Sequence, residues 1–250
     1  MRLTNYLICF LSTGFLFTAC KQENFEITTP RIQEYFPLET GRSITYRLDS
    51  TVPARFGADT LVRSYEVKYL VDQKIKDGEN RDAYRIYRQL RPLNSTAPFN
   101  TDHTFTATPV GEQQMLWMEN NLRFSKLYFP IREGFSWKGN SYISSGSENL
   151  EYYDGWDYVY ENVGAAITLN GKTFNNTITV HHIDEISPPG PFNPEIIKII
   201  KYSKEIYAKD VGMIYRNTAI LEWQPKSPSG QPGFWTDNSF RIILSIIDHD

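Results

Sequence analysis

Two stretches gather side chains that could do chemistry. His181-His182-Ile183-Asp184-Glu185 crowds imidazoles and carboxylates, the material of a metal site. On a strand, however, His181 and His182 point to opposite faces. His182 and Asp184 share a face, but a zinc centre takes three or four protein ligands. The stretch therefore reads as a strand leaving a sheet for the Pro-rich loop that follows, with no metal. Asp248-His249-Asp250 reads as a solvated tail.

The second stretch is Tyr152-Tyr153-Asp154-Gly155-Trp156-Asp157-Tyr158-Val159-Tyr160. As one strand it would turn Tyr152, Asp154, Trp156, Tyr158 and Tyr160 to the same side. An acid among rings could form a sugar-stacking platform or line an apolar cleft, which makes these the candidate ligand-binding residues. The competing readings are a plain core face, or a turn at Asp154-Gly155 that splits the stripe into two short strands.

Signatures of catalysis do not appear. The chain has no GxSxG elbow, no Gly-rich phosphate loop and no HExxH. Its 2 cysteines are Cys9 and Cys20, and both lie near the N-terminus. Carboxylates are plentiful, but none is singled out. The expectation is a protein that is not an enzyme and needs no cofactor. A formal net charge of −3 and no basic patch argue against a nucleic-acid partner.

The elements that would position these residues read as strands. Aromatics make up 14% of the 250 residues, with 16 tyrosines, and such rings suit a pleated, half-buried surface. From Leu61 to Asp72 the alternate set Leu61, Tyr65, Val67, Tyr69 and Val71 is apolar, interrupted by Arg63, while the other set is mostly polar. Shorter strands are expected at 44–48, 84–90, 115–118, 122–129, 177–183 and 240–247. Asn170-Gly171 between Ala166-Ile-Thr-Leu169 and Lys172-Thr-Phe174 signals a hairpin. Residues 195–207 fit strand or helix, with isoleucines favouring strand and Asn193-Pro194-Glu195 a helix start. The fold expected is all-β: a single strongly curved antiparallel sheet or open barrel.

One phrase occurs twice, as YFPLETG at 35–41 and YFPIREG at 128–134. Pro37 and Pro130 fix φ and hold the preceding residue extended. Gly41 and Gly134 give the backbone freedom to turn a corner. Ile44-Thr-Tyr46 and Phe135-Ser-Trp137 follow, so each phrase reads as a lead-in to a strand, with duplication an open alternative.

The N-terminus carries the address. Arg2 precedes an apolar run at 7–17 that is too short to span a bilayer, then Thr18-Ala19-Cys20, as in a secretory signal peptide. Leu16-Phe17-Thr18-Ala19-Cys20 resembles a bacterial lipobox, with Phe17 where Leu is usual. The resemblance implies lipid attachment at Cys20. The expected division is a signal peptide at 1–19, a lipidated tether at 20–30 and a single β domain at 31–250.

The lipobox, the YFPLxxG phrase, Tyr207-Ala-Lys-Asp-Val-Gly-Met-Ile-Tyr215 and the ending Ile246-Ile-Asp-His-Asp250 together resemble uncharacterised cell-envelope lipoproteins of Bacteroidota-type bacteria. More loosely the chain is similar to lipoprotein carriers with a half-barrel sheet. The resemblance implies a lipid-anchored protein of the outer membrane, on its periplasmic or cell-surface side; with no catalytic motif in the chain, the expected role is binding or structural. An apolar-ligand carrier and a glycan-binding accessory of polysaccharide uptake are the alternatives. Asp49-Ser50-Thr51 and Asp59-Thr60-Leu61 are similar to O-glycan acceptor sites of such cells, which makes Ser50 and Thr60 candidates for modification beside a turn expected at 52–58.

Overall fold

The computed structural model describes residues 29–250 apart from Asn149 and Ser229. The expected signal peptide, Cys20 and all of the tether before residue 29 lie outside the described residues.

The strands are β1 (Ser43–Ala54), β2 (Asp59–Lys76), β3 (Asp82–Pro92), β4 (Asn100–Val110), β5 (Gln114–Glu119), β6 (Leu122–Tyr128), β7 (Ser136–Trp137), β8 (Tyr158–Leu169), β9 (Lys172–Ser187), β10 (Lys198–Ala208), β11 (Gly212–Gln224), β12 (Phe234–Trp235) and β13 (Phe240–His249). They join in one antiparallel sheet of order β6-β5-β4-β3-β2-β1-β13-β11-β10-β9-β8-β7, with β12 added beside β11. A one-turn helix, α1 (Ile32–Tyr35), precedes the sheet, and a 3-10 turn at Glu151–Tyr153 precedes β8. The last strand locks the two halves by lying against the first, with Leu48 opposite Leu244.

The sheet curls into a barrel whose seam, between β6 and β7, is not sealed by a ladder. Single hydrogen bonds bridge it instead. Ser125 N donates to Gly139 O at 2.8 Å, and Trp137 Nε1 donates to Ser125 O at 2.8 Å. Tyr160 Oη donates to Tyr128 O at 2.9 Å and accepts from Tyr128 N at 3.0 Å. A Cβ on Gly139 would lie 2.3 Å from the Tyr158 ring, so only glycine fits where the seam is tightest.

Large rings fill the interior: Tyr35, Phe105, Trp117, Phe124, Trp137, Trp156, Tyr158, Tyr160 and Tyr207 belong to one buried cluster. A second cluster includes Phe174, Ile206, Ala208, Ile214, Leu244 and Ile246, with Ile167 and Leu169 against it. Ile206 and Ala208 point away from the interior-facing Glu205 and Tyr207, as period-2 alternation requires. They are covered by the β8–β9 hairpin, which reaches past β10 and β11 to β13. At its tip Asn170 Nδ2 donates to Ile246 O at 2.9 Å, and Lys172 Nζ donates to Ile247 O at 3.0 Å. Asn170 and Gly171 have φ of 50° and 78°, the paired positive angles of a tight hairpin.

The glycine ends of the repeated phrase do the same work twice, although the first copy starts in α1 and the second in β6. Gly41 (φ 94°) and Gly134 (φ 72°) each turn the chain into a strand. Gly41 N donates to Val71 O at 2.8 Å while Val71 N donates to Arg42 O at 2.9 Å. Likewise Gly134 N donates to Tyr160 O at 2.9 Å while Tyr160 N donates to Phe135 O at 3.0 Å. In both copies the glycine begins the pairing between the strand it introduces and the next strand in sequence, β1 with β2 and β7 with β8.

One expectation is corrected and two open alternatives are decided. The turn after Ser50 covers only Arg55–Ala58, because Val52, Pro53 and Ala54 stay paired with Leu61, Thr60 and Asp59. Residues 152–160 are not one strand: Glu151–Tyr153 is a 3-10 turn, Gly155 has φ 74°, and pairing starts at Tyr158. The helix start at Asn193 is instead a local turn, in which Asn193 Oδ1 accepts from Glu195 N at 3.0 Å. From Lys198 onward that segment is strand β10.

Candidate binding cavity

Inside the barrel lies a cluster of buried charges. Strand β10 turns Ser203, Glu205 and Tyr207 inward at alternate positions. Facing them are Lys126 from β6, His182 from β9, Arg216 and Thr218 from β11, and Glu119 at the end of β5. Lys126 Nζ stands 2.5 Å from Glu205 Oε1, with side chains 6% and 1% exposed. Tyr207 Oη donates to Glu205 Oε2 at 2.6 Å. Arg216 Nη1 donates to Glu119 Oε2 at 3.1 Å, and its Nε lies 3.7 Å from Glu205 Oε1. Trp117 Nε1 also donates to Glu119 Oε2, at 3.1 Å.

The histidine belongs to this cluster. Its Nδ1 shares a hydrogen bond of 2.8 Å with Ser203 Oγ, which in turn bonds Thr218 Oγ1 at 3.0 Å. Its Nε2 is buried without a hydrogen-bond partner among the described residues and lies 3.8 Å from Glu205 Oε2. Tyr158 stacks on the imidazole at 3.9 Å between ring centroids, and Trp156 lies beyond at 6.0 Å.

Burial and charge decide the protonation states. Burial disfavours the Glu205 carboxylate, but the opposing pull of Lys126, with help from Arg216, wins and holds its pKa at about 2. Burial pushes His182 down to about 3 against the attraction of Glu205, so the ring is neutral. Burial also lowers Lys126, against Glu205. Arg216 moves the other way, because Glu119 and Glu205 outweigh its burial.

Beside this cluster is a cavity of about 70 Å³. Its walls are mostly apolar, including Phe36, Leu38, Ile44, Ile86 and Met213, while Lys126, Glu205 and Arg216 supply a charged end. The segment after α1 forms one wall and is tied down. Asp210 N donates to Glu34 O at 2.6 Å, and Arg42 Nη2 donates to Asp210 O. A void that exceeds the roughly 10–15 Å³ needed for one water has room for several waters or a small ligand.

The residues singled out from sequence fall elsewhere. Trp156, Tyr158 and Tyr160 are core side chains, 4%, 1% and 0% exposed. Their side chains wall the buried histidine and the seam, and do not form an open platform. Tyr152 is half-buried, edge-on to Phe240, and borders a surface hollow with Val52, Pro53 and Ser239. Asp154 is exposed and accepts from Ser145 Oγ at 3.1 Å. Ser50 is half-buried in β1, whereas Thr60 is exposed at the start of β2. His181 faces Glu161 at 3.1 Å, away from His182. Among the described residues no group of three His, Cys, Asp or Glu side chains could hold a metal, and no helix is long and apolar enough to cross a membrane.

Sequence reasoning missed Lys126, Glu205, Arg216 and Glu119. The usable signal was a charge at an inward register: Lys126 stands in β6 between Phe124 and Tyr128, and Glu205 two residues before Tyr207.

No protein-family model and no curated protein matches the chain. Among solved structures it is similar to a Bacteroides fragilis protein described as exported and of YmcC-like fold. The TM-score is 0.40 at 11% identity, over 86% of this chain and 99% of that one. A likeness this distant says nothing of ligand or partner.

Proposed function

We propose that the protein is a non-catalytic lipoprotein of the cell envelope, anchored to the outer membrane through lipid on Cys20, whose barrel carries a small apolar ligand. The observation that carries this reading is the mostly apolar cavity that opens beside the Lys126–Glu205 pair. Its apolar walls would be covered by a bound apolar body, which removes that surface from water. The stripe at 152–160 offers no exposed ring platform, so a glycan-binding role has no comparable support.

Native mass spectrometry of the full-length protein from its own host should show a co-purifying small molecule. Ile86→Trp, which fills the cavity, should abolish it while the protein stays folded. Identical ligand-free spectra for both proteins, with no uptake of an apolar fluorophore by either, would overturn the carrier reading. Cys20→Ser tests the anchor: the variant should no longer partition into detergent, and wild-type partitioning would refute lipid attachment there.

A further inference from the structure

The cavity lining is unbalanced in charge. Arg42, Lys126 and Arg216 line it, against Glu205 as its one carboxylate. Hydrogen bonding is unbalanced in the same sense. An ammonium has three N–H donors, and Lys126 spends one, on Glu205 Oε1. Arg216 uses Nη1 on Glu119 and Nε on Thr218 Oγ1, and its Nη2 has no hydrogen-bond partner among the described residues. Arg42 donates from Nη2 to Asp210 O, while its Nε is buried with no partner among the described residues. Glu205 receives Lys126 and Tyr207 on its two oxygens, and Glu119 receives Arg216 and Trp117. Arg42 Nε is the one of these donors that is buried without a partner, and a guest that brings acceptors would suit a lining richer in cations than in carboxylates.

Resting on the carrier reading above, we propose that the ligand is a small amphipathic carboxylate. Its acid group sits at the charged end between Lys126 Nζ and Arg216 Nη2, and its short apolar body lies against Phe36, Leu38, Ile44 and Ile86. Lys126 and Arg216 both flank Glu205 Oε1, so a two-oxygen acceptor set beside that atom meets both cations. A carboxylate matches a guanidinium edge in shape and strengthens each bond by its charge. A neutral alcohol of equal length would fill the apolar walls but meet fewer donors.

Calorimetric titration of the full-length protein with hexanoate, hexanol and hexylamine at neutral pH tests this. Hexanoate should bind at least tenfold more tightly than hexanol, and hexylamine should not bind. The paired change Lys126→Met with Glu205→Gln, and separately Arg216→Gln with Glu119→Gln, should reduce the preference for hexanoate while leaving hexanol affinity within about twofold. Both paired variants avoid stranding a buried charge, so at least one of the two is expected to fold. Hexanol binding as tightly as hexanoate, or a preference untouched in either folded variant, overturns the carboxylate assignment and leaves the carrier reading standing. Binding of none of the three probes overturns both.

Discussion

Lys126 Nζ and Glu205 Oε1 lie 2.5 Å apart, although their strands are far apart in the sheet: β6 is one end of it, and β10 is separated from the other end, β7, by β9 and β8. The pair therefore crosses the barrel interior and joins the two sides of the seam. Where the backbone supplies only isolated hydrogen bonds, a buried charge pair fixes how the edges meet.

Cutting one partner should cost far more than cutting both. Lys126→Met leaves the Glu205 carboxylate buried with Arg216 as its remaining counter-charge, and removal of one member of a buried pair costs about 3–5 kcal/mol. Adding Glu205→Gln removes the stranded charge, keeps an acceptor for Tyr207, and should restore most of that loss. Urea unfolding of the two variants checks this. A double variant as unstable as the single one would mean that the pair contributes chiefly through direct attraction.

Acid should weaken the protein in two overlapping stages. His182 has a folded pKa of about 3, below its ordinary 6.5. Its contribution is therefore complete above about pH 6.5 and is lost as pH falls toward 3, because only the unfolded chain takes up the proton. Glu205, at about 2 against an ordinary 4.5, acts with the same sign from pH 4.5 downward. Each proton bound only by the unfolded state gives a slope of up to about 1.4 kcal/mol per pH unit. His182→Gln should flatten the stability curve between pH 6.5 and 4.5 and leave the steeper loss below it. An unchanged slope in that window would show that His182 does not stay neutral in the fold.

How much of this was legible in the sequence follows from which forces leave a pattern. Tyr65 to Val71 alternated visibly because Val67 and Val71 are core side chains, although Glu66 on the other face is buried too, and Asn170-Gly171 announced its hairpin because few residues accept positive φ. Strand β4 left little trace: its first five residues are exposed and its inward positions hold Phe105 and the small Ala107. In β11 both faces are largely covered, so alternation is lost. The charge cluster was invisible for a different reason. Its members come from β5, β6, β9, β10 and β11, and only the curl of the sheet brings them together. In the twice-used phrase the glycine corner into a strand was legible, since Gly acts locally, whereas Phe36 before Pro37 sits at φ −141°, ψ 65°, off the extended conformation expected of it.

The two glycines of that phrase should respond alike. Neither would meet a neighbour within 4 Å on gaining a Cβ, so Gly41→Ala and Gly134→Ala test backbone strain alone. With φ of 94° and 72°, each should cost about 1–3 kcal/mol. Gly139→Ala should cost more, because its Cβ meets the Tyr158 ring at 2.3 Å. Thermal melts of the three variants give the order directly, and a neutral Gly134→Ala would show that the second corner is not held in this geometry.

The aromatic stripe makes the last prediction, because its burial converts a candidate binding surface into a wall around a histidine. Trp156 and Tyr158 are 4% and 1% exposed, and Tyr158 Oη donates to Asn140 Oδ1 at 2.9 Å. Trp156→Ala and Tyr158→Ala should each lower stability by about 3–5 kcal/mol. Tyr158→Phe removes only the hydroxyl and should cost about 1 kcal/mol. A loss of stability alone would suit any core ring, so the decisive reading is the pKa of His182. Burial is the main force holding that imidazole near 3, and Trp156 and Tyr158 are the rings stacked over it. In folded Trp156→Ala water gains a path to the ring, and NMR titration should find the His182 pKa moved upward toward 6.5, while Tyr158→Phe leaves it in place. If Trp156→Ala is destabilised and the His182 pKa does not move, Trp156 packs the core but does not shield the histidine. If Trp156→Ala stays within about 0.5 kcal/mol of wild type, as surface substitutions do, the ring is not in the core at all.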